Sequence, residues 1–271
     1  MVGTPDLNRF KAVAQEILQA LEGQDYVLEK QTANALGLEG IPLEDIDADV
    51  VISVGGDGTM LRTLKETDHP VLGVNAGVLG FLTEVMPGGV EPAIKRLLSG
   101  DYRIEERLRL KSVMDGERLL DAVNEAVIHT AHIAKMRHFS ISVDGQPATE
   151  LRADGVIVAT PTGSTSYAMS VGSSIIDPRV EALVIAPIAP FRLAARPFVV
   201  PASSRVAIAI KEPKVCTMVI DGQKEIEMVG HEKLEFTASE KKARFVSFED
   251  DFYRDLEEKL IAFTPHAVHR H

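Results

Sequence analysis

The sequence predicts an α/β domain followed by an all-β domain, and three observations predict it. The stretch from Val50 to Leu64 reads as strand, glycine turn and helix. Apolar strand runs alternate with helical periodicity up to Gly100, which implies a parallel sheet. From about Asp101 to Phe248 the helical period fades. Short β-branched runs replace it, punctuated by the hairpin signals Asp115-Gly116, Asp144-Gly145 and Asp221-Gly222. The expected divisions are 1–100 for the α/β domain, 101–248 for a sandwich or similar all-β domain, and 249–271 for a last helix and tail that return to the first domain.

Taken in order, Thr4-Pro5 predicts a helix start, with Thr4 as cap and Pro5 at the first helical position. Phe10, Val13, Ala14, Ile17, Leu18 and Leu21 follow at helical spacing, and Gly23 ends the run. No full apolar strand precedes this helix, which is unusual for an α/β domain. Tyr26 to Leu28 predicts a short strand, and Thr32 to Leu36 a short helix in an acidic, loop-like stretch. Val50 to Val54 is apolar and β-branched, as a strand buried on both faces requires. Gly55-Gly56-Asp57-Gly58-Thr59 breaks it, and Met60, Leu61 and Leu64 then share one helix face. Val71 to Asn75 is a second buried strand, running into the glycine-bearing turn from Asn75 to Leu82. Val90, Ile94, Leu97 and Leu98 mark a helix closed by Gly100. The β runs are Arg103–Met114, Asp121–Ile128, Phe139–Val143, Gly155–Ala159, Val206–Ile210, Val215–Ile220 and Lys233–Phe236. Helical spacing returns from Asp250 to Phe263, with Phe252, Leu256, Leu260 and Phe263 on one stripe. The tail carrying His266, His269 and His271 is expected to be disordered.

Bulk properties narrow the chemistry. With 45% hydrophobic and 25% charged residues, the 271-residue chain is globular. A formal net charge of -11 argues against a nucleic-acid partner, which would demand basic patches. A polyanionic ligand must then be met by local amides, a few cations or Mg²⁺. The single cysteine, Cys216, lies in the strand-like run KVCTMVI and fits a reducing cytoplasm. No stretch approaches the ~20 apolar residues of a membrane span, and the first residues lack the apolar core of a signal peptide. There is no GxxxxGK[ST] loop, HExxH or paired CxxC, and no residue set is assigned to a metal.

Three constellations carry chemistry. In the first, glycines at 55, 56 and 58 let backbone approach a ligand, and the helix start offers free N–H groups to phosphate. Asp57 sits in that turn at the carboxyl end of a strand, where open α/β sheets bind ligands. A carboxylate there is a metal partner or a base; the alternative is a helix cap. The amides of Gly56, Gly58 and Thr59 are candidate phosphate ligands. In the second, Asn124-Glu125 supplies an amide and a carboxylate suited to ribose hydroxyls and a base; in a regular strand the two would point to opposite faces. In the third, Asp154 to Tyr167 feeds a buried strand into Thr160, Thr162, Ser164, Thr165 and Ser166, with Tyr167 as a ring for stacking. Neutral donors beside an aromatic suit a nucleotide.

In order along the chain, Gly55–Thr59, Asn75–Leu82, Asn124-Glu125, Thr160–Tyr167 and Asp221-Gly222-Gln223 resemble the signature of the NAD kinases. The first motif is also shared with lipid kinases, and the fourth is the specific one. The resemblance implies a Rossmann-like N-terminal domain, a β-sandwich-like C-terminal domain and phosphorylation of the adenosine 2′-hydroxyl of NAD to NADP. It implies ATP or polyphosphate as donor, with Mg²⁺, and a homodimer or homotetramer. By residue, it implies that Asp57 is the base facing the 2′-hydroxyl and that Asn124 and Glu125 contact the adenosine. Gly58, Thr162, Thr165, Ser166, Tyr167 and Ser170 line the dinucleotide pocket, with Asp154 in the same wall. Ser166 stands where that family usually has alanine. Two other readings stay open: a lipid kinase sharing the first motif, and a non-catalytic module that senses NADP.

Overall fold

The computed structural model describes residues 1–5, 9–77, 80–132, 135–212, 214–249 and 252–261. The chain runs β1 (Val2–Gly3), α1 (Phe10–Ala20), α2 (Lys30–Leu36), β2 (Val51–Gly55), α3 (Asp57–Glu66), β3 (Val71–Asn75) and α4 (Val90–Leu98). Strands then dominate: β4 (Arg103–Met114), β5 (Glu117–Arg118), β6 (Glu125–Thr130), β7 (Arg137–Val143), β8 (Gln146–Ala153) and β9 (Gly155–Ala159). After the short α5 (Tyr167–Ser170) come β10 (Ala182–Ile188), β11 (Phe198–Pro201), β12 (Val206–Ile210), β13 (Cys216–Ile220), β14 (Lys224–Met228) and β15 (Leu234–Ser247). The described chain ends with α6 (Phe252–Leu256) and a π-helical turn over Glu257–Ile261.

Two units result: Met1–Glu105 with Arg244–His271, and Glu106–Ala243. The sequence placed one division after residue 248. The structure places it inside β15, an uninterrupted strand of 14 residues with no glycine or proline to mark a boundary.

Unit 1 is a parallel α/β sheet. The sheet runs β1, β2, β3 and then the end of β15, where Phe245 pairs with Val71. Every residue of β2 and β3 is buried, as their β-branched composition requires. The missing first strand exists after all, as two residues paired with Ser53 and Val54. That pairing also moves the helix start. The Thr4 N–H donates to the Val54 carbonyl at 3.2 Å, so Thr4 belongs to the strand side, and α1 begins at Phe10. Tyr26 to Leu28 forms no strand; the adjacent Glu29 makes an isolated bridge to Ile41. Of the expected last stripe, Phe252 and Leu256 lie in α6. Phe263 and the histidine tail fall outside the described residues.

Unit 2 is a sandwich of mostly antiparallel strands. One sheet contains β12 between β7 and β15, with β8 beyond β7. The other has the order β11-β10-β9-β6-β13-β14. Alternate side chains of the two sheets share one core, including Phe139, Ile141, Val206 and Phe236 from the first and Ile128, Val158, Ile185 and Met218 from the second. The pairs Asp115-Gly116, Asp144-Gly145 and Asp221-Gly222 form turns with both residues at positive φ, from 49° to 86°. The first two close two-residue hairpins, and the third closes a three-residue loop in which Ile220 pairs with Lys224. The far face of the second sheet is apolar too: Val127, Ile157, Ala159, Val184 and Ala186 are covered by Ala168 of α5. This packing carries the Thr160–Tyr167 segment onto the ends of β6 and β9.

Candidate active site

In unit 1, β2 ends at Gly55 and α3 begins at Asp57, with Gly56 as its N-cap in extended conformation. Gly55 is required there, because a Cβ would lie 2.1 Å from Thr59 Oγ1. The Asp57 carboxylate does not cap its own helix. Its Oδ2 accepts the Phe81 N–H at 2.8 Å, and its Oδ1 accepts the Leu82 N–H at 2.9 Å. Gly80 makes room for this clasp, since a Cβ at that position would sit 2.1 Å from Oδ1. Two successive amides therefore fix the carboxylate and leave its remaining lone pairs for a ligand. Among the three candidate phosphate ligands, Gly58 is exposed and Gly56 half-buried. Thr59 is buried and engaged: its N–H donates to the Gly56 carbonyl at 3.0 Å, and its hydroxyl bonds that of Thr4 at 2.6 Å. Thr59 is thus an anchor of the turn, which the pentapeptide pattern alone did not reveal. The contribution of Phe81, through its backbone, was equally hidden.

In unit 2, Glu125 is the first residue of β6, and Asn124 precedes the strand. That strand-end position frees the pair from the strict alternation a regular strand would impose. Asp221, at the tip of the β13–β14 hairpin with φ 49°, holds them there. Its carboxylate accepts the N–H groups of Val123, Asn124 and Glu125 at 2.8, 2.8 and 3.1 Å. The sequence marked Asp221 as a hairpin residue and as part of the family signature, without a role for its carboxylate. The Thr160 segment closes on the same point. The Thr160 hydroxyl donates to the Val123 carbonyl at 2.6 Å, and its N–H donates to the Asn124 carbonyl at 2.8 Å. Gly163 packs so tightly on Asn124 that a Cβ would lie 2.2 Å from the Asn124 carbonyl oxygen.

The electrostatics of this cluster are set by burial. Glu125 is 5% exposed and Asn124 7%. Burial pushes the Glu125 carboxyl up to about 8, and the neighbouring Asp221 charge adds to it; the Ser166 hydroxyl and the Tyr167 N–H oppose the shift. Among the described residues, Glu125 Oε2 and Asn124 Oδ1 are buried acceptors with no hydrogen-bond partner. Such atoms are costly unless a ligand supplies donors.

The remaining expected residues distribute around this core. Thr162 is buried, and the Thr165 hydroxyl donates back to the Thr162 carbonyl at 3.1 Å. Ser166 Oγ reaches Glu125 Oε1 at 3.4 Å. Tyr167 is 43% exposed, with its ring available for stacking, and Ser170 is exposed at the end of α5. Asp154 is not brought to them within this chain. It precedes β9, whose other end pairs Ala159 with Glu125, so a full strand, roughly 17 Å, separates the two.

Comparison with known proteins gives one family throughout. The family models for the ATP-NAD kinase N-terminal and C-terminal domains match residues 11–102 and 123–248. An NAD kinase of Methanothermobacter thermautotrophicus is 47% identical over 226 residues, covering 82% of this chain and 80% of that protein. An NAD kinase of Thermoplasma volcanium is 41% identical over 258 residues, covering 94% and 95%. Among solved structures, a yeast NADH kinase complexed with NADH superposes with a TM-score of 0.87 over 97% of this chain and 87% of that one; at 22% identity this likeness is one of fold. An NAD kinase from Archaeoglobus fulgidus in complex with ATP gives 0.73 at 29% identity, covering 91% and 93%.

Proposed function

Because the chain belongs to the NAD kinase family, we propose that it transfers a phosphoryl group from ATP to the adenosine 2′-hydroxyl of NAD, giving NADP. The observation that carries the reading is the pair of orphaned buried acceptors, Asn124 Oδ1 and Glu125 Oε2. An adenosine brings matching donors in its ribose hydroxyls and exocyclic amine. Tyr167 offers the stacking face, and Thr162, Thr165, Ser166 and Ser170 complete the wall.

Asp57 is the acid–base group. The 2′-oxygen attacks the terminal phosphorus, the bond to the leaving diphosphate breaks, and the hydroxyl proton passes to the Asp57 carboxylate. A carboxylate is a weak base towards an alcohol, but a loose transition state needs little deprotonation early on. Asp57 therefore orients the hydroxyl first and takes its proton late, and the amides of Phe81 and Leu82 keep it aimed. The amides at Gly56 and Gly58 are assigned to the donor phosphates.

Among the described residues, no three of His, Cys, Asp or Glu converge as a metal-binding group. Mg²⁺ commonly takes one or two carboxylates together with substrate phosphates. The residues present fit a cation that arrives with the donor, with Asp57 as the carboxylate at hand. Bound there, it would neutralise the donor's phosphate oxygens.

Incubating the protein with NAD, ATP and Mg²⁺ and reading NADP with an NADP-specific dehydrogenase tests the proposal. Absence of NADP would refute it, and polyphosphate in place of ATP reads the donor. The expected homodimer or homotetramer is read by sedimentation velocity.

Tyr167→Ala is expected to weaken NAD binding by about 1–3 kcal/mol, the scale of base–aromatic stacking. An unchanged dissociation constant in calorimetry would remove Tyr167 from the wall.

Glu125 carries a pH signature. Its carboxyl moves from the ordinary 4.5 to about 8 on folding. Between those values the folded chain holds a proton that the unfolded chain has released, so stability falls as pH rises through that window. Glu125→Gln is therefore expected to melt with the parent at pH 5 and above it at pH 8. Ribose hydroxyls donating to the carboxylate favour its charged form. Parental NAD affinity should therefore rise with pH as pH approaches 8, while the Gln variant stays flat and falls behind by about 1.5–3 kcal/mol. Parallel curves would reduce Glu125 to a buried polar strand end.

A further inference from the structure

The Asp57 carboxylate owes its position to the turn at Gly80–Leu82, which raises the question of what holds that turn. On one side Thr83 is buried and accepts from Asn75 Nδ2 at 3.3 Å, and the Glu84 and Val85 N–H groups both donate to the Gly73 carbonyl at 3.0 Å. The other side is held by the C-terminal segment of unit 1. The Glu84 carboxylate accepts the Phe248 N–H at 2.5 Å and the Ser247 hydroxyl at 3.5 Å, at the very end of β15. Further along, the Lys259 ammonium lies 5.6 Å from the centroid of the Phe81 ring, inside cation–π range. Lys259 is tethered to Asp255, one turn earlier, at 2.8 Å, and its side chain is only 9% exposed. It sits in the π-helical turn Glu257–Ile261, a geometry that recurs at functional sites. One residue, Phe81, therefore receives the lysine on its ring and gives its N–H to Asp57.

We propose that Lys259, tethered by Asp255, is a positioning residue that clamps Phe81 and thereby aims the Asp57 carboxylate. The C-terminal helix would then serve the chemistry without touching substrate. The effect on turnover rests on the NAD kinase reading above; the mechanical coupling does not.

The test uses Lys259→Met, which keeps the stem and removes the charge, and Lys259→Arg, which keeps a cation over the ring. Amide hydrogen exchange is read first, because it needs no activity. Protection of the Phe81 and Leu82 amides should fall at least about tenfold in the Met variant and return in the Arg variant, with Val51 to Val54 unmoved. Asp255→Asn, which leaves Lys259 in place but releases it, should shift the same two amides. In steady-state kinetics the Met variant should lose roughly 5–50-fold in kcat with KM for NAD within about twofold, and the loss should vanish in an Asp57→Asn background. Unchanged exchange at Phe81 and Leu82 in a folded Met variant would overturn the proposal, as would a kcat loss that persists without Asp57. A parent that makes no NADP would refute the kinase reading and leave the exchange result to judge the clamp.

Discussion

Asp57→Asn is expected to lower kcat for NAD phosphorylation about 10²–10⁴-fold, the scale of a positioned acid–base group. The KM for NAD should move far less, because the dinucleotide contacts are assigned to unit 2 and the effect of Asp57 to the transition state. The substitution has a structural component as well. An asparagine keeps one acceptor oxygen for the amides of Phe81 and Leu82 and turns an NH₂ towards the other. One N–H then goes unpaired, and stability should drop by about 1–3 kcal/mol. A Mg²⁺ series separates the two catalytic roles: partial recovery at high Mg²⁺ identifies a metal ligand, and a flat loss identifies a base. A variant with near-parental kcat would refute the assignment, and a melt recorded beside it shows whether the turn survived.

Asp221→Ala is expected to be strongly destabilising. It removes the acceptor for three N–H groups, those of Val123, Asn124 and Glu125, in a residue that is 5% exposed. An unpaired buried donor costs about 1–3 kcal/mol, and three in one cluster should together cost about 3–5 kcal/mol. Alanine is also strained at the φ of 49° that Asp221 adopts, whereas asparagine tolerates it. Asp221→Asn should therefore recover most of the melting temperature. It also removes a charge that raises the Glu125 carboxyl, so Glu125 should titrate at lower pH in that variant. A thermal melt of Asp221→Ala within a degree or two of the parent would show that the hairpin tip does not support Asn124 and Glu125.

Many local features were legible in the sequence, although the buried run of β10 was passed over. The Asp-Gly pairs announced three hairpins because positive φ is a property of two adjacent residues. The runs at Arg103–Met114, Gly155–Ala159 and Val206–Ile210 gave their strands to the residue. Where solvent takes one side, the signal weakened: β8 is mostly exposed and was not anticipated. The same holds for β15, read only as Lys233–Phe236 although it continues through the charged Glu240 to Arg244. The two-residue β1 was too short to register, yet its pairing relocated the start of α1.

By itself the sequence determined the order of an α/β unit and a β-sandwich, the glycine turn with its carboxylate, and the specific Thr160–Tyr167 segment, because each is written in contiguous residues. Only the tertiary structure decided that Asp57 is clasped from Phe81 and Leu82, that Thr59 is an anchor, that Asp154 stands a strand away from Glu125, and that Asp221 builds the site from 97 residues beyond Asn124. Hydrogen bonds across such separations leave no period or composition behind them. They depend on which strands become neighbours and which polar atoms are then left buried without a partner, and both are properties of the packed chain.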